Sequence, residues 1–154
     1  MSLGGPGSTT WDAAITAAWN AGVLAVVAAG NENQLASNRS PARSPETITV
    51  GNLQSSYARY GGSTGSNYGP AVDIFAAGTA VLSSYRTSDT ATQILTGTSM
   101  ASPHVAGLVS YLRALEGFSS AATIKARVLE LGTPGLVTDA QGSANLIAYN
   151  GNGR

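Results

Sequence analysis

Ser99 lies in the stretch QILTGTSMASPHVAGLVSYL, residues 93–112, and His104, the only histidine of the chain, follows five positions later. Gly97, Thr98 and Ala101 are small, so a peptide can approach the Ser99 hydroxyl closely. The stretch reads as the start of an apolar helix. There the first-turn N–H groups lack intrahelical partners and the helix dipole is positive, a setting that stabilises a developing oxyanion. The same residues serve equally well as the N-cap of a core helix. A nucleophilic serine also needs a base within about 2.6–3.2 Å. Five helical residues turn through about 140° and rise about 7.5 Å, so on one helix His104 does not reach Ser99. His104 reads instead as a buried histidine with a satisfied hydrogen bond, and the base is expected outside this chain. The G-x-S-x-G turn of the α/β-hydrolases does not fit, because Ala101 stands at its second glycine.

The elements that must carry Ser99 follow from periodicity and turn signals. Helices are predicted at Thr10–Asn20, Thr98–Glu116 and Ser120–Leu131. The run VLAVVAAG, residues 23–30, is apolar throughout and bounded by glycine, which marks a strand buried on both faces of a parallel sheet. Thr47–Val50 and Val72–Phe75 read the same way. AVLSSY and ATQIL flank RTSD and read as a hairpin. Residues 1–4 are short and extended, and the tail SANLIAYNGNGR holds one apolar patch before fraying. Strand and helix alternate, which gives an α/β layered fold in one domain. Two long polar loops, NENQLASNRSPARSP and QSSYARYGGSTGSNYGP, are of a length that usually serves function or ion binding.

Composition narrows the partners. Lys and Arg number 8, as do Asp and Glu, so no net charge draws the chain to nucleic acid or an anionic membrane. With no cysteine, thiolate metal sites and cysteine nucleophiles are excluded. The N-terminus MSLGGPGSTTW lacks the basic and apolar regions of a signal peptide.

The segment GTSMASPHVAG resembles the serine motif of the subtilisin-like serine proteases, whose usual form is G-T-S-M-A-x-P-H-V-A-G. VVAAGNEN is similar to that family's oxyanion-asparagine segment and MSLGG to its substrate-binding strand. SNYGPAVDIFAAGTAVLSS and ANLIAYN look most like its proteinase K branch. The resemblance spans residues 1–154 and implies the C-terminal portion of the catalytic domain. The family's order is Asp, His, Ser, and its Asp and His motifs precede the SLGG segment, so both are expected outside this chain.

The resemblance implies roles residue by residue. Ser99 matches the nucleophile and Asn31 the side-chain donor of the oxyanion hole, with Thr98 supporting that hole. Ser2, Leu3 and Gly4 match the strand that binds extended substrate through main-chain hydrogen bonds. Ala28, Ala29 and Gly30 match one wall of the primary specificity pocket, and their small, uncharged lining suits a bulky apolar or aromatic group. Asp73, with the carbonyls of Pro45 and Thr47, matches a structural calcium site. Asp12, Asp89 and Asp139 read as surface or capping residues. The implied function is a secreted serine endopeptidase acting on peptides or proteins, completed by the N-terminal half of the domain. The alternative is a non-catalytic fragment that binds peptides or acts as an interaction module.

Overall fold

A computed structural model describes residues 1–117 and 120–152. Residues 1–4 run extended into β1 (Gly5–Pro6), and Ser8 caps α1 (Thr9–Asn20). The apolar run at 23–30 supplies β2 (Ala25–Ala28), whose last three residues are buried. The first long loop holds a turn of 3-10 helix at Ala36–Asn38 and β3 (Arg39–Ser40), which pairs antiparallel with β1. Then come β4 (Thr47–Leu53), β5 (Ile74–Ala77), and the hairpin β6 (Val81–Ser84) and β7 (Thr92–Leu95). Helix α2 (Thr98–Glu116) ends at Gly117 in the left-handed region (φ 72°), and Ser120 caps α3 (Ala121–Leu131) by accepting from the Thr123 N–H. Two short strands close the chain, β8 (Thr133–Pro134) and β9 (Leu146–Ile147).

The main sheet has the order β2-β4-β5-β9-β8. Its first four strands are mutually parallel, and β8 runs antiparallel to β9. This is the mainly parallel α/β arrangement expected. Helices α2 and α3 cover one face through Val105, Val109, Leu112, Ile124 and Val128, which pack on Val26, Ile48, Val50 and Ile74. The long loops cover the other face, where Ala36, Ala42, Val72 and Val137 surround Phe75.

Three expectations shift. The second strand runs on to Leu53, because Val50–Leu53 pair with Ile74–Ala77 of β5; at Gly51 the Phe75 ring packs close, and a Cβ there would lie 2.4 Å from Phe75 Cε1. The third strand starts at Ile74 rather than Val72. The tail's apolar patch contributes β9, an inner strand of the sheet, where no strand was expected.

At the outer edge of the sheet, the Met1 ammonium donates to the Val26 carbonyl (2.5 Å) and the Ala28 N–H donates to the Met1 carbonyl (3.1 Å). Beyond these bonds β2 is an open edge. Trp11 and Val23 stay exposed beside it, over an apolar groove that Ile15, Ala106 and Val109 also line.

Candidate active site

The C-terminal end of β2 and the N-terminal end of α2 meet at the site. Past Ala28 the chain turns through Gly30, whose φ of 101° favours glycine; a Cβ would also fall 2.3 Å from Asn67 Nδ2. Asn31 follows. Its Oδ1 accepts from the Thr98 N–H (2.8 Å) and from Thr98 Oγ1 (3.1 Å). The buried Thr98 hydroxyl also accepts from the Gly30 N–H (3.2 Å). With its oxygen engaged twice, Asn31 presents Nδ2 outward. Neither that nitrogen nor the Ser99 N–H donates to any group among the described residues. Both lie near one point: a Cβ on Gly97 would sit 3.5 Å from Asn31 Oδ1, 3.7 Å from Asn31 Nδ2 and 3.8 Å from Ser99 N. Glycine at 97 leaves that point open. Two unspent donors thus lie beside Ser99 at a helix N-terminus, a setting that favours developing negative charge.

Pro103 contributes through what it lacks. It has no N–H, so the Ser99 carbonyl four residues earlier loses its helical donor. Ser2 Oγ donates to that carbonyl instead (2.7 Å) and lies 3.3 Å from Ser102 Oγ. Ser99 Oγ in turn faces the Ser2 carbonyl at 3.5 Å. Segment 1–4 is thereby fastened to the start of α2.

Leu3 and Gly4 form one side of a cleft of about 110 Å³, with Ala28, Ala29 and Gly30 opposite and Thr98 and Ser99 at its mouth. This is room for one side chain, well under the roughly 300–1,000 Å³ of small-molecule sites. All the residues expected for nucleophile, oxyanion and substrate are therefore gathered in one place. The expected uncharged lining is incomplete, however. Glu32 and Arg39 also border the cleft and pair with each other (3.0 Å), so the charges there are two and mutually neutralising.

Sequence reasoning missed the side chains that hold the loop around Asn31. Buried Asn67 donates to the Ala29 carbonyl (2.9 Å) and to Glu32 Oε2 (2.7 Å), and its Oδ1 accepts from the N–H groups of Glu32 and Gln34 (both 3.1 Å). Arg59, only 5% exposed, donates to Asn33 Oδ1, the Ser66 carbonyl and the Asp139 carboxylate. Their one signal was a pair of polar residues in a loop too long to be a mere connection.

His104 is exposed, where a buried histidine was expected; its Nδ1–H donates to the Met100 carbonyl (2.8 Å), one turn back on α2. No hydrogen bond joins it to Ser99. Asp12 accepts from Arg43 Nε (2.9 Å) and from Ser40 Oγ (3.0 Å), and Arg43 holds its carboxyl below the ordinary 3.8. Asp139 is held below it too, first by Gln141 and then by Arg59.

The oxygens of Pro45, Thr47 and Asp73 converge as the calcium expectation requires, but a lysine already occupies them. Lys125 Nζ donates to the Pro45 carbonyl (2.9 Å) and the Thr47 carbonyl (2.5 Å), and pairs with Asp73 Oδ1 (3.2 Å). The other Asp73 oxygen accepts from the Thr49 N–H (2.8 Å). Burial pushes the Asp73 carboxyl above 3.8 against the opposing pull of Thr49 and Lys125. Calcium takes six to eight oxygens, and a resident ammonium repels it. These residues do not fit the metal.

The chain belongs to the Subtilase family, peptidase S8, which it matches over residues 1–145. It is 50% identical to alkaline protease 1 of Aspergillus clavatus over 98% of its own length, and 50% identical to an alkaline proteinase of Hapsidospora chrysogena over 99%. The chain spans 37% of the length of each of these relatives. A crystal structure of a cold-adapted subtilisin-like serine proteinase superposes with a TM-score of 0.91 at 37% identity, covering 97% of this chain and 53% of the other. No described helix is long and apolar enough to cross a membrane.

Proposed function

We propose that residues 1–154 are the C-terminal portion of a serine endopeptidase catalytic domain, the portion that supplies the nucleophile and the oxyanion hole. The observation that supports this reading is the pair of unspent donors, Asn31 Nδ2 and the Ser99 N–H, beside the Ser99 hydroxyl. In this reading Ser99 attacks the scissile carbonyl, and the two donors hold the oxygen as it gains charge. Removing one such donor costs about 2.7–4 kcal/mol of transition-state stabilisation, a figure measured on subtilisin, a relative. The histidine and aspartate of the triad come from outside these residues, in the N-terminal half of the domain. That half also covers the open β2 edge and the groove beside Trp11. Substrate lies along Ser2–Gly4 and places one bulky apolar side chain between Leu3 and Ala28–Gly30. The parent is secreted, as fungal alkaline proteases typically are.

A second reading, a non-catalytic peptide-binding module, draws on the state of Ser99 itself: among the described residues its hydroxyl meets only the Ser2 carbonyl, and no base. A fluorophosphonate probe separates the two. The natural protein that carries this sequence should form an adduct on Ser99, located by peptide mass, and Ser99→Ala should form none. Absence of any adduct from natural protein shown to be folded would favour the binding module.

A further inference from the structure

The oxygen cluster at Pro45, Thr47 and Asp73 lies at the N-terminal ends of β4 and β5, the opposite end of the sheet from Ser99. Strand β4 begins at Thr47 and β5 directly after Asp73, so two carbonyls and a carboxylate point toward one spot. Any fold that brings them together must satisfy them. Helix α3 lays Lys125 across this end, with its side chain 16% exposed, and the ammonium reaches all three oxygens. The match is one-to-one: an ammonium has three N–H donors and no acceptor, and three acceptors surround it. We propose that Lys125 is a tethered cation that takes the place of a metal ion at this cluster, so that the site binds no calcium and clasps α3 to the sheet unaided.

The placement has a physical logic. A divalent ion would have to draw at least three further oxygens from water or protein, and it would meet a fixed positive charge within hydrogen-bond distance of its ligands. The lysine reaches the same attraction without a free ligand. Its charge is half that of calcium, which suits a cluster with a single carboxylate. Because the cluster is remote from Ser99, its role is to hold the fold and not to take part in the reaction.

The experiment uses the natural protein and two variants, Lys125→Met and Asp73→Asn. Bound calcium is counted by equilibrium dialysis, and thermal unfolding is followed in chelator and in millimolar calcium. The natural protein and Asp73→Asn should bind the same number of calcium ions per chain. Lys125→Met should melt several degrees below the natural protein in chelator, since a partly buried carboxylate and two carbonyls lose their donor. Loss of one calcium per chain on Asp73→Asn would show that the cluster is a metal site and overturn the proposal. So would a Lys125→Met variant that melts with the natural protein in chelator. Should Lys125→Met fail to fold, the calcium counts still decide; should Asp73→Asn fail, the melting comparison does.

Discussion

Replacing Ser2 by alanine tests the fastening between segment 1–4 and the start of α2. The Ser2 hydroxyl donates to the Ser99 carbonyl at 2.7 Å, and it does so because Pro103 cannot. Loss of one neutral hydrogen bond costs about 0.5–1.5 kcal/mol. Ser2 is exposed, so water partly replaces the hydroxyl, and the expected cost is toward the low end, about 0.7 kcal/mol. For a domain of 150–250 residues that lowers the melting temperature by roughly 1–3 °C. The decisive comparison is with Pro103→Ala. Alanine at 103 restores an N–H one helical turn after Ser99, and that N–H takes the carbonyl. In the Pro103→Ala background, Ser2→Ala should therefore cost almost nothing. The weaker Ser2–Ser102 contact (3.3 Å) is lost in both backgrounds and cancels from the cycle. Four melting curves and four kcat/KM values on one chromogenic peptide suffice. If the two substitutions are additive within error, Ser2 does not stand in for the missing helical donor, and the account of Pro103 is wrong.

The other expectations concern the hole, the cleft, acidity and folding. A Gly97→Ala side chain would enter the space between Asn31 Nδ2 and the Ser99 N–H, so kcat of the intact protease should fall by 10-fold or more, about 1.4 kcal/mol, with KM little changed; unchanged kcat would place the oxyanion elsewhere. Peptides with Phe, Tyr or Leu before the scissile bond should be cut faster than those with Lys or Asp, because Glu32 and Arg39 neutralise each other at the cleft; a preference for either charged residue would refute this. Asp12 and Asp139 have folded pKa values below the unfolded one, so each adds stability that is present above about pH 3.8 and is lost as pH falls through the lowered values. Asp12→Asn should accordingly flatten the acid limb of a plot of melting temperature against pH, and an unchanged limb would remove Asp12 as a cause. The 154-residue chain by itself should aggregate or self-associate and hydrolyse peptides near background, since β2 is an open edge and Ser99 has no base; a sharp cooperative melt of a monomer would contradict the first part, and robust activity abolished by His104→Ala the second.

Local signals account for what was legible beforehand. Helix α2 was bounded correctly because Gly97 and Gly117 flank a strongly periodic apolar run. The β6–β7 hairpin followed from a turn signal between two short apolar stretches. Strands β1, β3, β8 and β9 span two residues each, too few to show any period, and only pairing with distant segments defines them. Of the candidate site, contiguous motifs pointed to Asn31 and Thr98–Ser99, which the fold brings together. Its supports were not, because Asn67, Arg59 and Ser2 act on residues far away in sequence. Lys125 escaped for the same reason: nothing around it in α3 announces the carbonyls of Pro45 and Thr47. The two charges beside the cleft escaped because Arg39 was read as loop.

The double engagement of Asn31 Oδ1 has a consequence for timing. Rotating that amide by half a turn would aim its NH2 at the Thr98 N–H and forfeit that bond, while the Thr98 hydroxyl could turn to accept. At about 0.5–1.5 kcal/mol for the lost bond, the flipped rotamer is a minority of roughly 7–30%, since 1.4 kcal/mol is a factor of ten. The amide therefore mostly holds one orientation before any substrate arrives. If it serves as the proposed oxyanion donor, the reaction would meet a dipole that is largely set beforehand.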